Sequence, residues 1–126
     1  MKPLTSLGIS DFRNLIEANR YFVDKSLLIR DVFYGAGTIL FARPRRFGKT
    51  LNMSLLRYFY DLNAGDNAHL FRGLAIEKET AVMAKQGKHP VIFLSLKDVK
   101  GATWELTFEG ISAVIHAEVL RFAYLL

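Results

Sequence analysis

Three consecutive residues, Gly48-Lys49-Thr50, sit where the sequence pattern changes, and that junction constrains the fold more than any other feature of the chain. Before it, Thr38-Ile39-Leu40-Phe41-Ala42 is short, β-branched at its start and continuously apolar, the pattern of a buried strand. After it, Leu51, Leu55, Leu56, Phe59 and Tyr60 recur at helical spacing and build an apolar stripe to about Leu62. A strand that turns through a glycine directly into a helix aims consecutive backbone N–H groups, and the positive end of the helix dipole, at one point in space. That point suits an anion, and phosphate above all.

The residue types agree with this chemistry. A glycine at 48 lets the backbone pass close to phosphate oxygens, Lys49 offers a point charge to β- and γ-phosphates, and Thr50 offers a hydroxyl to Mg²⁺. The general phosphate-loop pattern places another glycine five residues before Gly48, where this chain has Arg43. A side chain at 43 narrows the backbone conformations open to the loop. Arg43, Arg45, Arg46 and Lys49 together form a short basic run. Arg45 and Arg46 can contact a nucleotide, an acidic partner or nucleic acid, or can be solvated. The expected nucleotide contacts are Arg45, Arg46, Phe47, Gly48, Lys49, Thr50 and Leu51, with the Thr50 hydroxyl on the metal.

The rest of the chain reads as alternating helix and strand. Ser10 is a suitable N-cap for a helix carrying Phe12, Leu15 and Ile16 on one face, with Asn19 and Arg20 at its exit. Asp24 can cap a second helix that ends at Gly35 and Gly37. Residues 63–67 read as a turn and 69–76 as an irregular connection. Glu77 to Gln86 is rich in helix formers and closed by Gly87, and Val91 to Leu96 reads as a second buried strand entered through Pro90. Thr103 can cap a last helix with Phe108, Ile111 and Ile115. The expected fold class is therefore α/β: a phosphate-loop parallel sheet with flanking helices. It comprises a helical lead-in over 1–37, the phosphate-binding strand–loop–helix over 38–62, and a second strand and helix over 77–126. Two strands are too few for a stable parallel sheet, so the expectation is the front part of a larger domain.

Composition bounds the alternatives. Hydrophobic residues make up 51% of the 126, ample for a packed core. The absence of cysteine excludes a disulfide framework or thiolate metal site and fits a reducing cytoplasm. Uninterrupted apolar runs such as Phe122 to Leu126 fall far short of the roughly 20 residues a membrane span requires. The net charge of +5 is compatible with phosphate-bearing partners without demanding them.

The stretch Phe41-Ala42-Arg43-Pro44-Arg45-Arg46-Phe47-Gly48-Lys49-Thr50-Leu51-Asn52-Met53-Ser54 closely resembles the loop of the AAA-ATPase-like family of bacterial proteins, whose loop carries arginine where the general pattern has glycine. Gly8 to Phe12, Tyr21 to Ser26, Pro90 to Asp98 and Trp104-Glu105 also resemble that family's segments, with Ser26 in place of its usual threonine. The resemblance implies an ATP-binding domain that uses Mg²⁺, often followed by a nuclease-like domain through which a full-length protein could meet nucleic acid.

A phosphate-loop ATPase also needs a second acid on the metal, at the end of another apolar strand. Asp98 is the nearest candidate, but it lies past Ser95 and Lys97 and suits a loop or cap better. The expectation is accordingly a nucleotide-binding module with little hydrolysis of its own. The alternatives are a module in which nucleotide merely orders a partner surface, and a basic nucleic-acid-binding module. His69, His89 and His116 show no metal-ligand spacing, and Tyr21, Phe22 and Trp104 read as packing residues.

Overall fold

The computed structural model describes residues 11–40, 49–62, 66–96 and 99–123. These fall into two units, Met1–His89 and Pro90–Leu126.

In the first unit, aromatic residues far apart in sequence meet in one core. Helix α1 (Phe12–Glu17) begins at Asp11, whose carboxylate accepts from the Asn14 N–H at 3.0 Å. Asn19, in the left-handed region at φ 52°, takes the chain out of that helix, as a C-terminal asparagine can. Helix α2 spans Leu27–Tyr34 and stops at Gly35. Helix α3 is the longest of the unit, Lys49–Tyr60. Two 3₁₀ turns, Ala68–Phe71 and Ala75–Lys78, lead to the short helix α4, Thr80–Met83. The apolar stripe of α3 supplies Leu55 and Phe59, which cluster with Phe12, Ile29, Leu70, Phe71, Ile76 and Val82. Phe71 lies between Phe12 and Phe59, with ring centroids at 5.3 and 5.2 Å. The Phe59–Phe71 pair meets edge to face, at 90°, and adds to burial through the attraction of the ring edge for the ring face. Gly87, at φ +66°, turns the chain back so that its N–H donates to Phe59 O at 2.8 Å.

The second unit is simpler. Helix α5, Trp104–Leu120, starts at Thr103, whose hydroxyl accepts from the Leu106 N–H at 3.3 Å. Gly110 lies under Val99: a β-carbon there would sit 3.1 Å from a Val99 methyl, which accounts for glycine inside a helix. The run before the helix is held to it by Glu118, which accepts from the Phe93 N–H at 2.8 Å and from Arg121.

The parallel sheet expected from the sequence is not found: among the described residues there is no strand, and most lie in helices. The sole trace of β pairing among them is a single parallel bridge, Asp61 to His89. Thr38, Ile39 and Leu40 are exposed, Leu40 at 89%, and Phe41 and Ala42 lie outside the described residues. The Val91–Leu96 run leaves Ile92 71% exposed, with Leu94 and Leu96 half exposed. An apolar run becomes a strand when neighbours complete its backbone hydrogen bonds. The Phe93 N–H is instead taken by the Glu118 side chain.

The helix expected over Glu77–Gln86 is divided, because Glu79, at φ −89° and ψ 78°, interrupts it between the second 3₁₀ turn and α4. Asp24 does not cap α2, which Ser26 precedes. Its carboxylate accepts from the Ser26 N–H at 2.9 Å and from the Ala75 N–H at 2.7 Å.

Candidate functional site

Helix α3 begins at Lys49, so Lys49 and Thr50 occupy its first turn, and both are exposed. The first four N–H groups of any α-helix have no acceptor within the helix, and twelve residues give that end a full dipole. Leu51 is half-buried and packs against the core, and Ser54, Leu55 and Phe59 anchor the same face. One end of the helix thus faces outward with a cation and a hydroxyl, while the apolar stripe behind it fixes its direction. This donor set fits the phosphates of a nucleotide with its magnesium ion: an ammonium, a hydroxyl and helix N–H groups. Arg45, Arg46, Phe47 and Gly48 lie outside the described residues, as does Asp98.

Asp61 and Asp11 both meet side chains in the C-terminal half of α3. Asp61 is buried just past the C-terminal end, eleven residues from Thr50 and, at 1.5 Å per residue, about 16 Å along the axis. Its carboxylate is 3.9 Å from Arg57. Asp11 accepts a hydrogen bond from the Tyr58 hydroxyl at 2.7 Å, while its neighbour Phe12 bonds to Ser54, four residues after Thr50. Among the described residues no group of three His, Asp or Glu side chains could hold a metal ion.

The support behind the first turn is dense in hydrogen bonds. The buried Ser54 hydroxyl donates to Leu51 O at 2.7 Å and accepts from the Phe12 N–H at 2.9 Å. One turn further, Tyr58 donates to Asp11, and the Arg13 guanidinium lies 5.5 Å from the Tyr58 ring centroid. Burial first, then the hydrogen bond to Asp11, pushes the Tyr58 hydroxyl pKa up from its ordinary value. Burial alone pushes Tyr60, whose hydroxyl donates to Ile29 O, to about 12. Neither Ser54 nor Asp11 stands out in the sequence as a functional residue. Their bonds, from Phe12 to Ser54 and from Tyr58 to Asp11, span 42 and 47 residues.

A family model described as "Predicted AAA-ATPase" matches residues 6–125. No curated protein and no solved structure matches the chain. No helix among the described residues is long and apolar enough to cross a membrane.

Proposed function

Since the chain belongs to the predicted AAA-ATPase family, matched over residues 6–125, we propose that it binds Mg-ATP with the phosphates at the start of α3. The observation that carries this reading is the exposure of Lys49 and Thr50 on the first turn of a twelve-residue helix whose opposite face is locked into the core. Lys49 carries the charge that meets the β- and γ-phosphates, and Thr50 presents its hydroxyl to the magnesium ion. Gly48 and the arginines at 45 and 46, with Phe47 between, immediately precede them in sequence and are the further nucleotide contacts in this reading. Leu51, whose side chain is committed to packing, contributes through its backbone N–H. The bound magnesium would neutralise phosphate charge.

In this reading the chain grips nucleotide and hydrolyses it poorly. Catalysis needs contacts that strengthen in the transition state, above all a firmly placed metal and an oriented water. Asp98, the nearest candidate in the sequence for a second metal acid, falls two residues past the apolar run that ends at Leu96 rather than at its end. The test is calorimetric titration of Mg-ATP into the wild-type chain and Lys49→Ala. Loss of a charge-assisted contact worth about 1.5–3 kcal/mol should weaken binding about 10- to 100-fold. Equal affinities would remove the phosphates from this helix.

A further inference from the structure

The contacts behind α3 carry more than the placement of a helix. Three of them converge on α3 from one short segment. Asp11 uses one carboxylate oxygen to cap α1, through Asn14, and the other to receive the Tyr58 hydroxyl. The next residue, Phe12, donates its buried N–H to Ser54, and the same Ser54 hydroxyl donates to the carbonyl of Leu51 in the first turn of α3. Arg13, held by Glu17 at 2.9 Å, stacks its guanidinium on the Tyr58 ring. A continuous chain of bonded atoms therefore runs from the N-cap of α1 to the peptide group one residue from Thr50.

Local helix stability does not require this arrangement. A serine inside a helix commonly bonds back to a carbonyl one turn earlier, and on its own that bond bends or loosens the turn. Here the hydroxyl also receives a buried N–H from another helix, so the first turn of α3 is tied to α1 and cannot shift without leaving the Phe12 N–H unpaired in the core. We propose that Asp11, Ser54 and Tyr58 are positioning residues that clasp α1 onto the phosphate-binding helix, so that nucleotide binding at Lys49 and Thr50 and docking of α1 reinforce each other. This rests on the reading of Lys49 and Thr50 as the nucleotide site. By linkage, whatever factor the docked clasp adds to nucleotide affinity, nucleotide adds to docking.

The experiment combines Mg-ATP titration with amide hydrogen exchange, with and without saturating Mg-ATP, on wild type, Tyr58→Phe, Asp11→Asn and Lys49→Ala. Tyr58→Phe deletes one hydroxyl from a half-buried ring, and Asp11→Asn keeps a residue that caps helices as well as aspartate does. Both variants should fold, as circular dichroism would verify. Affinity should fall about fivefold in each, at the lower end of ordinary coupling. In wild type, Mg-ATP should slow exchange at Phe12 and Leu15 more than at Ile76 and Val82, which lie in the same core away from the clasp. A purely structural bond would lower the melting temperature without producing that selective protection. Wild-type affinity in both clasp variants, or protection spread evenly over α1 and α4, would overturn the proposal while leaving Lys49→Ala defective. If Lys49→Ala bound as tightly as wild type, the nucleotide site itself would be misplaced and the clasp proposal would fall with it.

Discussion

The two units deal with apolar surface in opposite ways. Residues up to His89 gather eight buried hydrophobic side chains from α1, α2, α3, the 3₁₀ turns and α4 into one core, and spend their polar groups tying those pieces together. From Pro90 on, the one long helix leaves Trp104, Leu106, Phe108, Ile115, Val119 and Leu120 exposed, and its sole buried residue is the charged Glu118. Both stretches are rich in apolar residues, so composition does not separate them. The difference lies in how the apolar positions are distributed around each helix. In α3 they form one stripe that leaves the far side free for Lys49 and Thr50. In α5 they occur all round, so no single contact could bury them. A one-sided pattern leaves a helix with a surface to give to function.

We predict that Phe59→Ala destabilises the chain by about 3–5 kcal/mol, since the ring is fully buried and contacts both Phe71 and Tyr60. Urea unfolding followed by far-ultraviolet circular dichroism measures it, and a loss under 1 kcal/mol would mean that the aromatic core does not govern the fold. Next in size is Glu118→Ala. It strips the Phe93 N–H and Arg121 of a shared partner, an effect of about 1–3 kcal/mol. Amide exchange at Phe93 should accelerate about tenfold or more, and an unchanged rate would show that the run is held by something other than this carboxylate.

What could be read from the sequence follows the same division. Helices α1, α3 and α5 were legible because their apolar spacing and capping residues are local: Thr103 caps α5 as expected, and Asp11 rather than its neighbour Ser10 caps α1. The two apolar runs were misread because a strand is a property of pairs of segments, whereas hydropathy reports one segment alone. Lys49 and Thr50 were legible as candidate phosphate ligands through their place at a helix start. Asp11, Ser54 and Tyr58 were not, since their contacts span 42 and 47 residues and leave no periodic trace.

A smaller effect is expected at Asp24, which joins the start of α2 to the second 3₁₀ turn. Partial burial alone would raise its pKa. Hydrogen bonds from the Ser26 side chain and from the Ser26 and Ala75 N–H groups outweigh burial and hold it below the ordinary 3.8. The unfolded chain therefore binds a proton here more readily than the folded chain does. The resulting stability is present above pH 3.8 and is lost as pH falls through the lowered folded value. Asp24→Asn should flatten the fall in melting temperature below pH 4 relative to wild type, and parallel curves would place the acid sensitivity elsewhere.

The smallest expected change belongs to the exposed helix, and the single tryptophan of the chain reports on it. Trp104 is 69% exposed and meets Phe108 at a ring separation of 5.9 Å, a contact along its own helix rather than across a core. Because the indole is already in water, unfolding has little further solvent to offer it. Acrylamide should quench its emission nearly as well as that of free tryptophan, and the emission maximum should shift little across the urea transition that circular dichroism detects. Trp104→Ala should change unfolding free energy by less than about 0.5 kcal/mol, as surface substitutions do. The two readouts are independent, because quenching probes the folded state and the substitution compares folded with unfolded. Strong protection from acrylamide together with a costly Trp104→Ala would show that α5 is covered in solution. The contrast between a stripe that buries one side and a helix apolar all round would then lose its basis.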